Sequence, residues 1–428
     1  MMTRRRRTAL LVALTGVVAA ALPVQAQEEA DDLIHSRPTG AFPLTPDWSL
    51  QTYAEKLQTA VGTTTSVTAV LRDANRELSS CNSAQQHSLP ENYDRSDFPL
   101  SSGQILHSSD KFCWDPGDSK VAYWIPQGIT GSADADKDGL WGDNRVMLVS
   151  WYYDESASNK GVRISFVDMK NRKYRHALLV EPTKTATPDY TAVPIHAGGI
   201  AWLNNYLYVA DTKVGLRVFD MERILEVSDA QDSIGKSGST YYAHNYKYVL
   251  PQVATYRQPV QSTSKCDPTA TRLCFSSLSL DRSTAPDTLV VGEYREDRDT
   301  NAAVDGGRVV RYQVDASTRL PVLTGGKAVP YDVVTMPRSN VQGVQTWKDT
   351  YYLGRSSSRR HSWMYSGSVG RGTKTNSWAI GGEDLYHEHG PNETAGRLWT
   401  VAEHAWSLDR STFIDRRAIF AVPLSSIG

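Results

Sequence analysis

The segment with the most specific chemistry is the acidic loop Asp134-Ala-Asp136-Lys-Asp138-Gly139. Three carboxylates at alternate positions, followed by a glycine that permits a sharp turn, form an oxygen-rich loop that suits Ca²⁺. Arg145 occupies the position of the twelfth-position glutamate of an EF-hand, so the loop does not match an EF-hand. We therefore predict a structural calcium site, with a solvated acidic loop as the alternative. The expected ligands are Asp134, Asp136, Asp138, Leu140 (through its backbone carbonyl) and Asp143.

A second set of candidate residues recurs at equivalent positions of a repeated unit. Some lie just before the first strand of a unit, and others lie where the second strand ends. If the units surround an axis, all nine would line one mouth of a central channel, where they could bind a ligand or fill the channel by bonding one another and water. These residues are Gln127, Trp151, His196, Asp211, Glu293, Gln342, Arg355, His389 and Glu403.

Catalysis at this mouth is the alternative to binding. Paired carboxylates can hydrolyse glycosides, and Asp211, Glu293 and Glu403 are the candidates. His387-x-His389 with Glu403-His404 could bind a transition metal, although an isolated H-x-H pattern is a weak signal. No nucleophile elbow, P-loop or dinucleotide fingerprint occurs in a fitting context. We therefore assign no catalytic residue.

The unit that must position these residues is clearest between residues 195 and 221. Three short apolar runs there are rich in Val, Tyr, Trp and Leu, and turns at Asn204-Asn205 and Asp211 to Gly215 separate them. Such runs are typical of antiparallel strands in a meander. Four further segments match this unit at a period of roughly 45 to 80 residues, which is typical of a β-propeller. We predict an all-β fold with five blades; six or seven stay open because the segment from Ile224 to Cys274 could hold more strands.

The last unit has three strands before the chain ends, so a strand from before the first unit should complete it. Gly103 to Phe112 is our candidate. Residues 47–80 differ from the repeats and show two short amphipathic helical patterns, which either pack on the propeller or bind a protein partner. The predicted organisation is a signal peptide at 1–26, an extension with a helical hairpin at 27–100, and a propeller at 101–428.

Export follows from the first residues. Arg4 to Arg7 precede an apolar run and the cleavage-like Val24-Gln25-Ala26, which together favour a secreted protein. No later apolar run is long enough for a membrane span. Removing the segment shifts the formal charge from −1 to −5, which argues against nucleic acid or an anionic membrane as partner.

The four cysteines are expected to form disulfides in an oxidising compartment. We predict the pairs Cys81–Cys113 and Cys266–Cys274, the second closing a short loop. Catalytic or metal-binding thiols are the alternative, but no C-x-x-C spacing supports them.

The segment GGIAWLNNYLYVADTKVGLRVFDM, with Tyr246-Lys-Tyr248 and Pro251 further on, resembles a group of exported propeller proteins of filamentous actinobacteria, mostly without assigned activity. The resemblance covers about residues 120–428 and implies a fold, not a reaction. Some secreted actinobacterial propellers are similar in design to lectins, an analogy at the level of the fold. We expect binding of a glycan or of cell-envelope material at the channel mouth; a glycoside hydrolase or lyase and a protein-interaction scaffold are the alternatives.

Overall fold

The computed structural model describes residues 33–94, 100, 103–155, 159–259, 271–296, 306–358, 360–390, 394–405 and 412–428. The predicted signal peptide lies outside the described residues, and so does Cys266 of the second predicted disulfide.

Most strands belong to five four-stranded antiparallel units that follow one another along the chain, and the outermost strands of the first two units also pair in parallel, which joins these units into one sheet. This arrangement confirms the predicted all-β propeller fold, while the number of blades stays a prediction. Unit 1 contains Trp124–Gly131, Val146–Tyr153, Val162–Asp168 and Lys173–Pro182. Unit 2 contains Ile200–Leu203, Tyr206–Asp211, Gly215–Asp220 and Tyr248–Arg257. Unit 3 contains Phe275–Asp281, Thr288–Glu293, Arg308–Gln313 and Asp332–Thr335. Unit 4 contains Val341–Trp347, Thr350–Arg355, Ser362–Gly367 and Lys374–Trp378. Unit 5 contains Tyr386–Gly390, Thr394–Val401 and Ala418–Pro423.

Unit 5 takes its fourth strand from before unit 1. Asp110–Cys113 pairs antiparallel with Ala418–Pro423, with Cys113 opposite Ala418. The predicted strand, Gly103 to Phe112, begins seven residues too early and ends one residue too early. The reason is that residues before it serve another unit: the Leu106 amide donates to the Ser377 hydroxyl at 2.8 Å, on the outermost strand of unit 4.

Local sequence explains why these runs form hairpins. In unit 2, Leu203 pairs with Tyr206 across the two-residue turn Asn204-Asn205. Asn204 has a φ of 49°, a left-handed conformation that asparagine adopts more readily than most residues. The flanking apolar side chains are buried on both faces of the sheet, because neighbouring units cover them.

The extension runs along the outer edges of the units. His35–Ser36 pairs with Asp332–Thr335 of unit 3, and Thr45–Asp47 pairs with Tyr248–Arg257 of unit 2. Arg76–Glu77 then pairs with Lys173–Pro182 of unit 1. Exposed strand edges invite aggregation, so this segment protects the molecule by pairing with successive edges. The remaining short strands are Thr64–Thr65, Tyr190–Ala192, Ile224–Glu226, Ile234–Ser237, Thr240–Ala243, Leu323–Thr324 and Lys327–Ala328.

The extension also carries the two longest helices of the described chain, Gln51–Val61 and Val67–Arg72. Leu57 and Val70 on their apolar faces are fully buried in the core clusters of the propeller. The apolar faces of both helices therefore pack on the propeller and are not available to a protein partner. Shorter helices span Ser83–His87, Pro116–Ser119 and Ser132–Ala135, and 3₁₀ turns span Pro90–Asn92 and Leu424–Ser426.

A disulfide joins the extension to the strand that completes unit 5. Cys81 and Cys113 form this bond, as predicted, and the Ser79 and Cys113 backbones also pair beside it. Among the described residues, no helix combines the length and the apolar character needed to cross a membrane.

Candidate functional site

The innermost strands of the units meet at a buried carboxylate. Asp384 Oδ2 accepts the backbone N–H groups of Ile129 and Ile200, each at 3.1 Å, and Oδ1 accepts that of Leu278 at 3.0 Å. These residues lie on the first strands of units 1, 2 and 3, while Asp384 lies two residues before the first strand of unit 5. Burial raises the pKa of Asp384, and the N–H bonds oppose that rise. Asp384 therefore connects four units at the axis.

Small residues allow the innermost strands to come this close. A β-carbon at Gly199 would lie 2.1 Å from the backbone nitrogen of Leu278. The approach between units 2 and 3 therefore requires glycine, and it brings the residues that precede each strand to one end of the axis.

Next to Asp384, two glutamates form a carboxyl–carboxylate pair. The Glu383 and Glu403 side chains hydrogen-bond each other, and Glu383 also accepts from the Ser356 hydroxyl at 3.2 Å. Two carboxylates this close cannot both ionise easily. Burial first, and then Glu403, raise the pKa of Glu383 well above its ordinary range. Burial opposes ionisation of Glu403 as well, but His404, His196 and the hydrogen bond from Glu383 together lower the pKa of Glu403 to about 2. The pair therefore holds one proton, on Glu383.

Glu403 is the member of the pair that solvent reaches. Its Oε1 lies 2.9 Å from His404 Nε2, and its Oε2 accepts from the side-chain amide of Gln127. The protein atoms packed around its ring lower the pKa of His196 although the residue is exposed to solvent, and the charge on Glu403 opposes that shift. Burial followed by the same charge raises the pKa of Tyr152. The Glu403 carboxylate thus lies among side chains from units 1, 2 and 5.

A cavity of about 460 Å³ opens beside Glu403. Units 3, 4 and 5 and the loops between their strands provide its walls. Trp363 and Tyr294 are aromatic, and the guanidinium of Arg355 lies over the Trp363 ring at 5.3 Å. The other lining residues are Asn340, Gln342, Ser356, Ser357, Ser358, Arg360, His361, Ser362 and His404.

Five of the nine residues predicted at the channel mouth lie in or beside this site. Gln342, Arg355 and Glu403 line the cavity, while Gln127 and His196 approach Glu403 from units 1 and 2. The side-chain oxygen of Gln342 also accepts a hydrogen bond from the Ser276 hydroxyl at 3.0 Å, which connects units 3 and 4.

Two of the predicted carboxylates are held in buried ion pairs instead. Asp211 binds Arg217 Nε at 2.9 Å and accepts backbone N–H groups of its own turn. Glu293 is fully buried, and both of its oxygens bind Arg308 at 2.7 Å. Neither residue lines the cavity, so the three carboxylates proposed for glycoside hydrolysis do not converge. The directly bonded pair of Glu383 and Glu403 is also closer than the roughly 5 to 9.5 Å at which glycosidase carboxyl groups work.

The sequence alignment misplaced Trp151 and His389. Trp151 is fully buried in a core cluster, where its indole nitrogen donates to Ser165 at 2.8 Å, because its side chain points between sheets. His389 lies within the innermost strand Tyr386–Gly390, near the hairpin end, and its Nε2 is 3.0 Å from the Ala133 carbonyl oxygen. Glu383 occupies the position of Gln127 and Gln342 in unit 5, so the predicted His389 lies six residues too late.

The five predicted calcium ligands of the acidic loop differ in burial. Asp134 is buried and accepts the Thr130 hydroxyl at 2.6 Å, and burial raises its pKa to about 7. Asp136 and Asp138 are exposed and accept backbone N–H groups within the loop. Leu140 and Asp143 are exposed as well. Among the described residues, no three His, Cys, Asp or Glu side chains form a group that could hold a metal ion. Calcium binding stays a prediction, testable by the thermal unfolding midpoint with Ca²⁺ and with a chelator.

Sequence reasoning missed Glu383, Asp384 and Tyr152. The signal for the two acids was available, because Asp384-Leu385 occupies the place of Gly128-Ile129 and Gly343-Val344 in other units. Asp384 was overlooked because the repeat has glycine or serine there, and only the fold shows that one unit can place a carboxylate on the axis.

Comparisons with known proteins identify only distant structural similarity. No protein-family model and no curated protein matches the chain. Among solved structures, a luciferin-regenerating enzyme is 10% identical with a TM-score of 0.31, over 70% of this chain and 91% of that one. A mutant of Bacillus subtilis levansucrase is 7% identical with a TM-score of 0.36, over 78% and 88%. The N-terminal domain of Nup159 is 8% identical with a TM-score of 0.21, over 71% and 58%. Similarities this low carry no functional argument, so the site is interpreted from its own residues.

Proposed function

We propose that the protein binds a hydroxyl-rich ligand of the glycan class in the cavity beside Glu403. The proposal is supported by the cavity itself, which lies beside Glu403 and combines aromatic with polar side chains. Its volume of about 460 Å³ falls in the range typical of small-molecule sites.

The chemistry of the lining suits sugars. The parts of Trp363 and Tyr294 that line the cavity can pack against the apolar C–H groups of a sugar ring, beside the Arg355 guanidinium that lies over the Trp363 ring. The charged carboxylate of Glu403 accepts hydrogen bonds from sugar hydroxyls, and Asn340 and Gln342 can both donate and accept. A ligand with hydroxyl groups at several positions would satisfy these side chains together.

The test is a glycan-array screen followed by calorimetric titration of the strongest hit. Glu403→Gln should weaken binding about tenfold or more, because the neutral amide replaces a charge-assisted acceptor. Glu388→Gln is the matched control, since its carboxylate is similarly little exposed (14% against 11%) but bonds Arg145 outside the cavity. Equal affinity of both variants, or no binding to any glycan, would refute the proposal.

The same titration separates binding from catalysis. A binding protein returns the glycan unchanged after long incubation, whereas a hydrolase or lyase releases shorter or unsaturated products. Product release that Glu403→Gln abolishes would replace the binding function with an enzymatic one.

We also propose that the protein is exported, on the basis of the segment from Arg4 to Ala26 and of the Cys81–Cys113 disulfide, which persists in oxidising compartments. Expression of the full chain with detection in the culture medium tests this. Retention of the uncleaved protein in the cell would contradict it.

A further inference from the structure

We propose that the ligand extends beyond the cavity onto a second subsite formed by Tyr152 and His196, so that the site recognises an oligosaccharide and not a single sugar. This inference rests on the proposed glycan binding and adds the length of the ligand to it.

The second subsite is an aromatic surface on the other side of Glu403. The Tyr152 and His196 rings lie 4.3 Å apart, inclined by 39°. His196 is exposed and Tyr152 is half-buried, so the His196 ring meets solvent while Tyr152 supports it. A ring that solvent reaches and that a second ring holds in place can serve as a platform for a sugar.

Its position follows from the order of the units. Unit 5, which carries Glu403, lies between units 4 and 1. Trp363 of unit 4 lines the cavity on one side of Glu403, whereas Tyr152 of unit 1 and His196 before unit 2 are absent from its lining. His404 of the cavity lining contacts Oε1 of Glu403, whereas Gln127 of unit 1 donates to Oε2, so the second oxygen faces unit 1. Tyr152 pairs with Ile125, two residues before Gln127, and therefore lies on this unit 1 side together with His196. The carboxylate therefore stands between two aromatic surfaces.

Such an arrangement suits neighbouring units of one glycan chain. One sugar would lie in the cavity against Trp363, and the next would lie against His196. Glu403 would accept hydroxyl groups from the part of the ligand between them. A single sugar would contact only one of the two surfaces and would leave the other exposed to water.

The experiment is a calorimetric titration of four series, each of one to four units, built from glucose, xylose, galactose and N-acetylglucosamine. In the series that binds, we expect affinity to rise about tenfold from one unit to two or three. His196→Ala should remove most of this gain and leave the affinity of the single sugar within about twofold. His107→Ala, an exposed histidine outside the site, is the control and should change neither value.

The outcomes are distinct. The second subsite would be refuted if ligands of all lengths bound with equal affinity. It would also be refuted if His196→Ala reduced the affinity for short and long ligands equally. Glycan binding in the cavity would stand in both cases. Absence of binding in all four series and on the array would overturn both proposals. Thermal unfolding of each variant shows whether a loss comes from the site or from the fold.

Discussion

Glu383 and Glu403 hydrogen-bond each other next to the axial Asp384, and only Glu403 carries a charge. The asymmetry comes from their partners. His404 and the Gln127 amide surround Glu403, whereas Glu383 is almost completely buried and has the Ser356 hydroxyl beside it. A charged acceptor is therefore presented to the cavity, and its neutral neighbour supports it.

The proton on Glu383 should make stability depend on pH. In the unfolded chain this group ionises near 4.5, whereas the folded chain keeps the proton to a higher pH. Unfolding then releases a proton, so the contribution of Glu383 to stability is full below about pH 4.5 and is lost as the pH rises. Glu383→Gln lacks this loss. In denaturant titrations from pH 5 to 7, the free energy of unfolding of the variant should rise relative to that of the wild type by about 1 kcal/mol per pH unit. A constant difference would show that Glu383 is ionised in the fold.

The axial carboxylate should be essential for stability. Asp384→Asn turns an amide NH₂ toward backbone N–H groups and removes one acceptor, so at least one buried donor loses its partner. We expect a loss of about 2 kcal/mol or more in the free energy of unfolding. The exposed Asp229→Asn serves as control and should change it by less than about 0.5 kcal/mol. Similar values for the two variants would contradict the role of Asp384 as the connection between units.

The disulfide should stabilise the join between the extension and unit 5. Cys81 and Cys113 close a loop of 32 residues, for which the chain-entropy estimate is about 3 to 4 kcal/mol. Cys81→Ala combined with Cys113→Ala should lower the free energy of unfolding by this order, in denaturant titrations under non-reducing conditions. A loss below about 1 kcal/mol would indicate that strand pairing alone holds the join.

The helices of the extension should behave as part of the core. Leu57→Ala removes a fully buried side chain and should cost about 2 to 5 kcal/mol. Gln51→Ala, on the exposed side of the same helix, should cost little. If both variants unfold at the same denaturant concentration as the wild type, the helix is not packed on the propeller in solution.

The local sequence pattern of apolar runs and turns predicted the fold well but predicted individual site residues less well. The two-residue turn at Asn204-Asn205 and the apolar runs around it fix the unit locally, so the repeated sheets follow from the sequence. The position of His389 could not be derived in this way, because unit 5 has Asp384 where other units have glycine, and the alignment shifted by several residues. Glu383 was missed for the same reason.

Side-chain partners explain the remaining differences. Asp211 and Glu293 end their strands as predicted, but Arg217 and Arg308 of the following strands reach them and form ion pairs. Arg217 itself lies opposite Val209 and reaches Asp211 diagonally. Such pairing depends on the register between strands, which the sequence of a single strand does not specify.

The most direct measurement is a crystal structure of the protein with the glycan that binds most tightly on the array. We predict a sugar ring in the cavity between Trp363 and Glu403, with a hydroxyl group within hydrogen-bond distance of the Glu403 carboxylate, and a further sugar against His196. A ligand bound on the outer rim or against the extension, with the cavity filled only by water, would contradict it.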